Sequence, residues 1–220
     1  MTKVARAPGV DWRSYIQGFL ARAAGNSAYN FAKPARPPMV RELLGEQPFF
    51  MPERGGHGCN HVMVVGDVSG SIGEAEHRAI LSSLVEMAGD LNPKTISVAW
   101  CCTQIHRIDM FEGTPGADML DEFYARNPIP RGGGTSFIPP FTMMESVGQG
   151  GAAGIPASSS QDTISALVAA GTPDGLIYVT DLDGPFPADA PGYPVLWVSV
   201  DQRGRHPWGE RVDINPQELL

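Results

Sequence analysis

Oxygen-bearing side chains at regular spacing mark the segment "VMVVGDVSGSIGEAEHRAI", residues 62–80. Asp67, Ser69 and Ser71 follow its apolar run, with glycine before, between and after them. Carboxylate and hydroxyl oxygens are hard donors, which Mg²⁺ prefers in a six-coordinate shell that keeps some water. Because glycine lets a backbone turn tightly, this spacing predicts a loop folded around a divalent cation.

Two later segments offer donors of the same kind. The segment "RGGGTSF" contains Thr135, and "VTDLDG" contains Asp181 and Asp183. In open α/β sheets, ligands bind at the carboxyl ends of the strands, so these loops can meet the first one there. We prefer Asp181 to Asp183 because it directly follows the predicted strand. The predicted ligands of Mg²⁺ (or Mn²⁺) are Asp67, Ser69, Ser71, Thr135 and Asp181.

Alternating strands and helices must position these residues. Apolar runs at 61–67, 94–103, 175–181 and 193–201 predict strands, and helical spacing predicts helices at 11–25, 74–91, 116–126, 138–147 and 162–171. Asp11 and Asp162 are predicted to cap the first and the last of these helices. Residues 106–113 follow the second strand closely, which indicates an antiparallel hairpin at a sheet edge. The pattern predicts an α/β fold with a doubly wound, mostly parallel, Rossmann-like sheet and one antiparallel edge strand.

The same pattern divides the chain. Residues 1–60 read as an N-terminal helix followed by a Pro/Gly-rich arm, 61–205 as the α/β domain, and 206–220 as a C-terminal tail. Within the domain, the small-residue segment 148–161 is interpreted as a flexible insertion.

The composition is that of an acidic chain with enough apolar residues for a core. Of 220 residues, 16 are basic and 24 acidic, the net charge is −8, and 42% are hydrophobic. Binding to a phosphate backbone requires clustered lysine and arginine, which an acidic chain is poorly suited to provide. No apolar run reaches the ~18–20 residues that cross a bilayer. The first residues lack the apolar core of a signal peptide. We therefore expect neither nucleic acid nor a membrane as a partner.

Cysteine usage indicates a reducing compartment. The three cysteines, Cys59, Cys101 and Cys102, are an odd number with an adjacent pair, which is not a disulfide framework. We expect a cytoplasmic protein. Cys101 and Cys102 alternate faces of a predicted strand, so core packing is the default expectation for both, as it is for Trp100 and Trp197.

The metal-site residues resemble those of a known family. "DVSGS" fits the DxSxS pattern of von Willebrand factor A (vWA) domains, whose metal-ion-dependent adhesion site (MIDAS) also takes a threonine from a later Gly-rich loop and an aspartate after a later strand. All of these elements occur here in order. The resemblance implies a vWA-like domain that binds Mg²⁺ through the five predicted ligands and recruits an acidic side chain of a protein partner.

A narrower resemblance covers about residues 10–200. "GGGTSFIPPF", "LIYVTDLDGPFP" and "YNFAKPARPP" are similar to segments of bacterial proteins that join a metallopeptidase-like region to a C-terminal vWA-like domain. The HExxH helix of that region is absent, so peptidase activity is not carried over. Such proteins often accompany MoxR-like AAA+ ATPases, which implies an ATPase of this type as partner. We interpret the chain as an interaction module, not an enzyme.

Five alternatives stay open. One is a degenerate vWA scaffold that binds partners without a metal, although all five ligand types are retained. A metal-dependent phosphohydrolase could use the same carboxylates, with Arg131 or His77 as its cationic group. "VTDLDG" also resembles the nucleophile motif of haloacid-dehalogenase-type phosphatases, although no lysine follows it. The segment "HGCNH" offers His57, Cys59 and His61 for zinc. Ser71 and Glu74 could instead form a helix capping box.

Overall fold

The computed structural model describes residues 4–5, 12–26, 29–34, 52–54, 59–70, 72–201 and 204–215. Asp11, His57 and Ser71 lie outside these ranges, so the helix cap predicted at Asp11, the zinc ligand at His57 and the metal ligand at Ser71 stay predictions.

Within the described ranges, nine strands and five helices are assigned. The strands are β1 (Val4–Ala5), β2 (Tyr29–Pro34), β3 (Pro52–Arg54), β4 (His61–Asp67), β5 (Thr95–Cys101), β6 (Ile105–Glu112), β7 (Gly175–Thr180), β8 (Val195–Ser199) and β9 (Glu210–Asp213). The helices are α1 (Trp12–Asn26), α2 (Glu74–Gly89), α3 (Ala117–Arg126), α4 (Ile138–Gly148) and α5 (Gln161–Ala170).

Seven of the strands form one sheet in the order β1-β9-β8-β7-β4-β5-β6. All neighbours are parallel except β5 and β6, which form the antiparallel hairpin at the edge. Strands β2 and β3 pair separately and antiparallel. Every residue of β4, β7 and β8 is buried, as expected for parallel strands covered on both faces.

Helices cover both faces of this sheet. Side chains in β4 alternate, so that Val62 and Val64 join a core with α1, α2 and α3, whereas Met63 and Val65 join a second core with α4 and α5. Trp100 and Trp197 are buried, one in each core, which confirms their predicted packing. The doubly wound α/β fold and its antiparallel edge are therefore confirmed.

Two elements outside residues 61–205 also pack on this sheet. Ile16, Phe19 and Leu20 of α1 are fully buried in the first core, and β9 pairs with β8. The Tyr15 hydroxyl donates to Glu210 Oε2 over 2.8 Å, and Arg22 Nη2 lies 2.7 Å from the same oxygen. Residues 149–160 form turns between α4 and α5; the flexibility of this segment stays a prediction.

One helix cap differs from the sequence predictions. Helix α2 begins after Gly73, whose backbone N–H donates to Glu76 Oε2 over 2.8 Å; Ser71 lies outside the described residues, so its capping role stays a prediction. Helix α5 is capped by Ser160, whose Oγ accepts the Thr163 N–H, and not by Asp162. None of the described helices combines the length and the apolarity required to cross a bilayer.

Candidate metal centre

Asp67 ends the central strand β4 and is almost completely buried, with 1% of its surface exposed. Its Oδ1 accepts the Ser69 backbone N–H over 2.9 Å, and its Oδ2 accepts the Thr180 hydroxyl over 2.8 Å. Burial raises the pKa of the Asp67 carboxyl, hydrogen bonds from Thr180 and from the backbone and side chain of Ser69 lower it only in part, and the nearby charge of Asp181 raises it further. A buried carboxylate next to a second carboxylate is stabilised by a cation.

His77 fixes the backbone beneath this carboxylate. Its Nε2 lies 2.7 Å from the Asp67 carbonyl oxygen, and its ring meets Trp100 edge to face. Burial lowers the pKa of His77. The imidazole is 5% exposed and holds the strand end in place, so it does not offer the free cationic group that a phosphohydrolase would need.

Ser69 sits beside an open cavity of about 320 Å³. Val68, Ile72, Ile129 and Arg131 line the cavity together with Ser69. The Arg131 side chain is 89% exposed, and its Nη2 lies 3.9 Å from Glu74. An acidic group that approached Ser69 through this cavity would meet the Arg131 guanidinium at its rim, beside the Glu74 carboxylate that also lines it.

The glycine loop places Thr135 between the other two loops. The Gly132 N–H donates to the Val68 carbonyl over 3.1 Å, and the Phe137 N–H donates to the Pro185 carbonyl over 3.0 Å. A Cβ at Gly184 would lie 2.9 Å from Thr135 Cγ2, so the loop after β7 contacts Thr135 closely. Buried Phe137 contacts Tyr178 and Trp197 edge to face, which anchors the loop in the second core.

Asp181 lies in a tight turn at the end of β7. Its Oδ1 accepts the Asp183 backbone N–H over 3.0 Å, while Asp183 itself is exposed. Leu182 between them is buried and has φ of +65°, a left-handed conformation that is unusual for a residue of this size. The Leu182 N–H donates to Thr180 Oγ1 over 3.0 Å, and this hydroxyl in turn donates to Asp67.

Four of the five predicted ligands thus lie in three loops at one edge of the sheet. Thr180 joins the third loop to the first, Gly132 joins the second to the first, and Phe137 joins the second to the third. Ser71, the fifth predicted ligand, is outside the described residues. Two carboxylates with serine and threonine hydroxyls fit the oxygen preference of Mg²⁺.

A site built on His, Cys, Asp and Glu alone is not found. The described residues contain no group of three or more such side chains that could hold a metal ion. Of the three residues considered for zinc, His61 bonds Ser97 and Gly171, and Cys59 bonds Asp174. The hydroxyl-rich set at the sheet edge is therefore the better candidate metal centre among the described residues.

Sequence reasoning missed the residues that support the carboxylates. Thr180 and His77 hold the side chain and the backbone of Asp67, and Leu182 shapes the turn that carries Asp181. The available signal was the "VTD" order, which puts a hydroxyl one residue before Asp181. His77 lies ten residues after Asp67, so its contact depends on how α2 packs on β4.

Comparison with known proteins adds no assignment. A scan against protein-family models gives no match, and a search of curated proteins finds no similar sequence. The vWA resemblance therefore depends on the motifs and on the geometry described above.

Proposed function

We propose that this protein is a Mg²⁺-dependent protein–protein interaction module of the MIDAS type, which binds an acidic side chain of a protein partner. The observation that carries the proposal is the buried carboxylate of Asp67 next to Asp181, at the edge where the loops of Ser69 and Thr135 also meet. Two carboxylates and three hydroxyls supply one protein oxygen fewer than the six-coordinate shell of Mg²⁺ requires, which leaves a position for an oxygen from outside.

Asp67, Ser69, Ser71, Thr135 and Asp181 are the residues that would hold the ion. When bound, Mg²⁺ would supply positive charge to both carboxylates and an open position for a carboxylate from outside. The cavity beside Ser69, with exposed Arg131 at its rim, supports an acidic ligand because opposite charges attract across such a surface.

The class of the protein partner and the cellular compartment are proposed on grounds other than the geometry of the site. The narrower family resemblance points to a MoxR-like AAA+ ATPase or its client. All three cysteines are free thiols, in keeping with a reducing compartment such as the cytoplasm. We propose both on these grounds alone.

Ion-dependent capture tests the proposal. Immobilised wild-type protein is incubated with lysate of its own cell in Mg²⁺ or in EDTA, with Asp67→Asn as the matched control. We expect a protein that is retained only by the wild type with Mg²⁺, and whose retention is lost when one of its Asp or Glu residues is changed to the amide. Equal retention in EDTA or by Asp67→Asn would contradict the proposal.

A further inference from the structure

The three cysteines of the chain lie in very different environments. Burial is the main factor that raises the pKa of Cys59 to about 12, and it does the same for Cys101. Burial also acts on Cys102, but hydrogen bonds from His106, Gln104 and Thr103 outweigh it and lower the pKa of this thiol to about 6. Cys102 is thus the cysteine that carries a thiolate at neutral pH.

The geometry around Cys102 explains this difference. Cys102 lies in the turn between β5 and β6, where its N–H donates to the Gln104 carbonyl over 3.0 Å. Its Sγ is 2.9 Å from His106 Nε2 and 3.6 Å from Thr103 Oγ1. A thiol and an imidazole at this distance form the pair from which nucleophilic cysteines are built.

The glycine loop covers the pair without a side chain. A Cβ at Gly132 would lie 2.6 Å from Cys102 Sγ and 3.0 Å from His106 Nε2. Cys102 is 3% exposed, while Gly133 and Gly134 next along the loop are exposed. Because no side chain of the three glycines covers the sulfur, the loop leaves space near it for a small reactant only.

Other uses of the sulfur fit the structure less well. Cys101 faces the second core and Cys102 the first, so the adjacent thiols do not face each other for a disulfide. No group of three or more His, Cys, Asp or Glu side chains suited to a metal occurs in the described part of the chain. The titratable side chains that interact with Cys102 are His106, Cys101 and Tyr178, and Arg131, which precedes Gly132, extends into solvent.

We propose that Cys102 and His106 form a nucleophilic pair and that Cys102 is a site of covalent modification, with small hydroperoxides as the class of reactant. The Cys102 thiolate attacks one peroxide oxygen, the S–O bond forms, and the O–O bond breaks. Sulfur is oxidised to the sulfenic acid while the peroxide is reduced. The leaving group, hydroxide from hydrogen peroxide or alkoxide from an organic hydroperoxide, takes the proton of the His106 imidazolium and leaves as water or alcohol, and the imidazole becomes neutral.

The experiment measures alkylation of the intact full-length protein by iodoacetamide between pH 5 and pH 9, with each cysteine followed by peptide mass mapping. We expect Cys102 to react with a midpoint near pH 6, and Cys59 and Cys101 to stay unmodified until the protein is denatured. His106→Asn moves the Cys102 midpoint toward the ordinary thiol value of about 8.5. His206→Asn, whose Nε2 has no hydrogen-bond partner among the described residues, is the matched control and leaves the midpoint unchanged.

The midpoint, and not the rate at one pH, is the decisive readout. A thiolate of lower pKa is also a weaker nucleophile, so the rates of wild type and His106→Asn at pH 7 differ only about twofold. Three results would overturn the proposal: a wild-type midpoint near 8.5, an unchanged midpoint in His106→Asn, or no reaction of Cys102 before denaturation. With hydrogen peroxide and dimedone, the sulfenic acid must form at Cys102 and be absent in Cys102→Ser.

Oxidation would also disturb the loop that carries Thr135, a consequence that rests on the proposed function. An oxygen atom on Cys102 Sγ would need space that Gly132 occupies. The same loop is also bonded to Cys102 directly, because the Cys102 carbonyl accepts the Ser136 N–H over 3.0 Å. Peroxide-treated wild type should therefore show a smaller Mg²⁺-dependent rise in melting temperature than untreated protein, and Cys102→Ser should not respond to peroxide. If untreated protein shows no rise, the metal site itself is wrong; if treatment leaves the rise intact, only this coupling is wrong.

Discussion

Two carboxylates border the central strand β4 at opposite ends, and they are bonded in different ways. At the amino end, Asp174 Oδ2 accepts hydrogen bonds from the Asn60 and His61 backbone N–H groups and from the Cys59 thiol. At the carboxyl end, Asp67 accepts hydrogen bonds from Ser69 and Thr180, is buried, and has Asp181 as a charged neighbour.

The difference separates a structural carboxylate from one suited to a ligand. Asp174 satisfies the backbone donors at the start of β4, so folding alone accounts for it. Asp67 is buried beside a like charge, and its hydrogen bonds from Ser69 and Thr180 offset the effect of burial only in part, an arrangement that is unfavourable unless something positive compensates it. We therefore expect substitutions at the two ends to separate stability from ion binding.

The largest loss of stability is expected at the amino end. Asp174→Ala leaves the His61 N–H and the Cys59 thiol without their acceptor, and each buried unsatisfied group costs about 1–3 kcal/mol. Urea unfolding should show this loss in the free energy of unfolding, with an unchanged Mg²⁺-dependent increment. Loss of the increment in Asp174→Ala would contradict the division between the two ends.

Thr180→Val is expected to have a smaller effect and to act on both properties. It keeps the shape of the side chain but removes the donor to Asp67 Oδ2 and the acceptor for the Leu182 N–H, at a cost of about 1–3 kcal/mol for a bond to a charged group. Mg²⁺ affinity should fall as well, because Asp67 loses its orientation. Thr163→Val on the exposed end of α5 is the control, with full ion affinity.

Most substitutions of a buried polar residue lower the melting temperature, but we expect Asp67→Asn not to lower it in the absence of metal. The amide keeps the shape and removes a charge that burial disfavours, so without Mg²⁺ at pH 7 the variant should melt at or above the wild-type temperature. It should gain nothing from Mg²⁺. A variant that melts well below wild type in EDTA would show that the Asp67 charge is stabilised within the protein itself.

The smallest expected effect is the dependence of the melting temperature on pH. The pKa of Asp67 is raised in the folded protein. Without metal, the Asp67 carboxyl therefore contributes fully to the free energy of unfolding below the ordinary aspartate pKa of about 3.9, and this contribution is lost as pH rises through the folded pKa. The Mg²⁺-dependent gain runs in the opposite direction and grows with pH as the carboxylate ionises. Melting curves in Mg²⁺ and in EDTA from pH 5 to pH 8 measure both, and Asp67→Asn should give no difference at any pH.

Periodicity explains how much of this fold the sequence reveals. The continuous apolar run of β4 and the 3.6-residue spacing of α2 identify both elements, and the carboxyl-edge rule is enough to place Asp67, Thr135 and Asp181 at one edge of the sheet. Strand β9 escapes this reasoning because it is four residues long and three of its residues are charged. Its Arg211 is 4% exposed and bonds Asp213, a pairing that local sequence does not reveal.

The supporting contacts of the site are equally hidden from sequence. The hydrogen bond from Thr180 to Asp67 joins residues 113 positions apart, and the closeness of Cys102 to His106 depends on a hairpin whose register shifts between Trp100 and Cys101. Such contacts depend on strand order and register, which the residue types along one segment do not specify.

Binding of Mg²⁺ itself, followed by isothermal titration calorimetry on wild type and Asp67→Asn at pH 7.5, tests the central claim most directly. We predict one ion per wild-type chain, no binding to Asp67→Asn, and weakened binding to Asp181→Asn. At 100 times the dissociation constant, the bound ion should raise the free energy of unfolding of the wild type by about 2.7 kcal/mol. No binding to the wild type, or equal binding to Asp67→Asn, would contradict the metal centre.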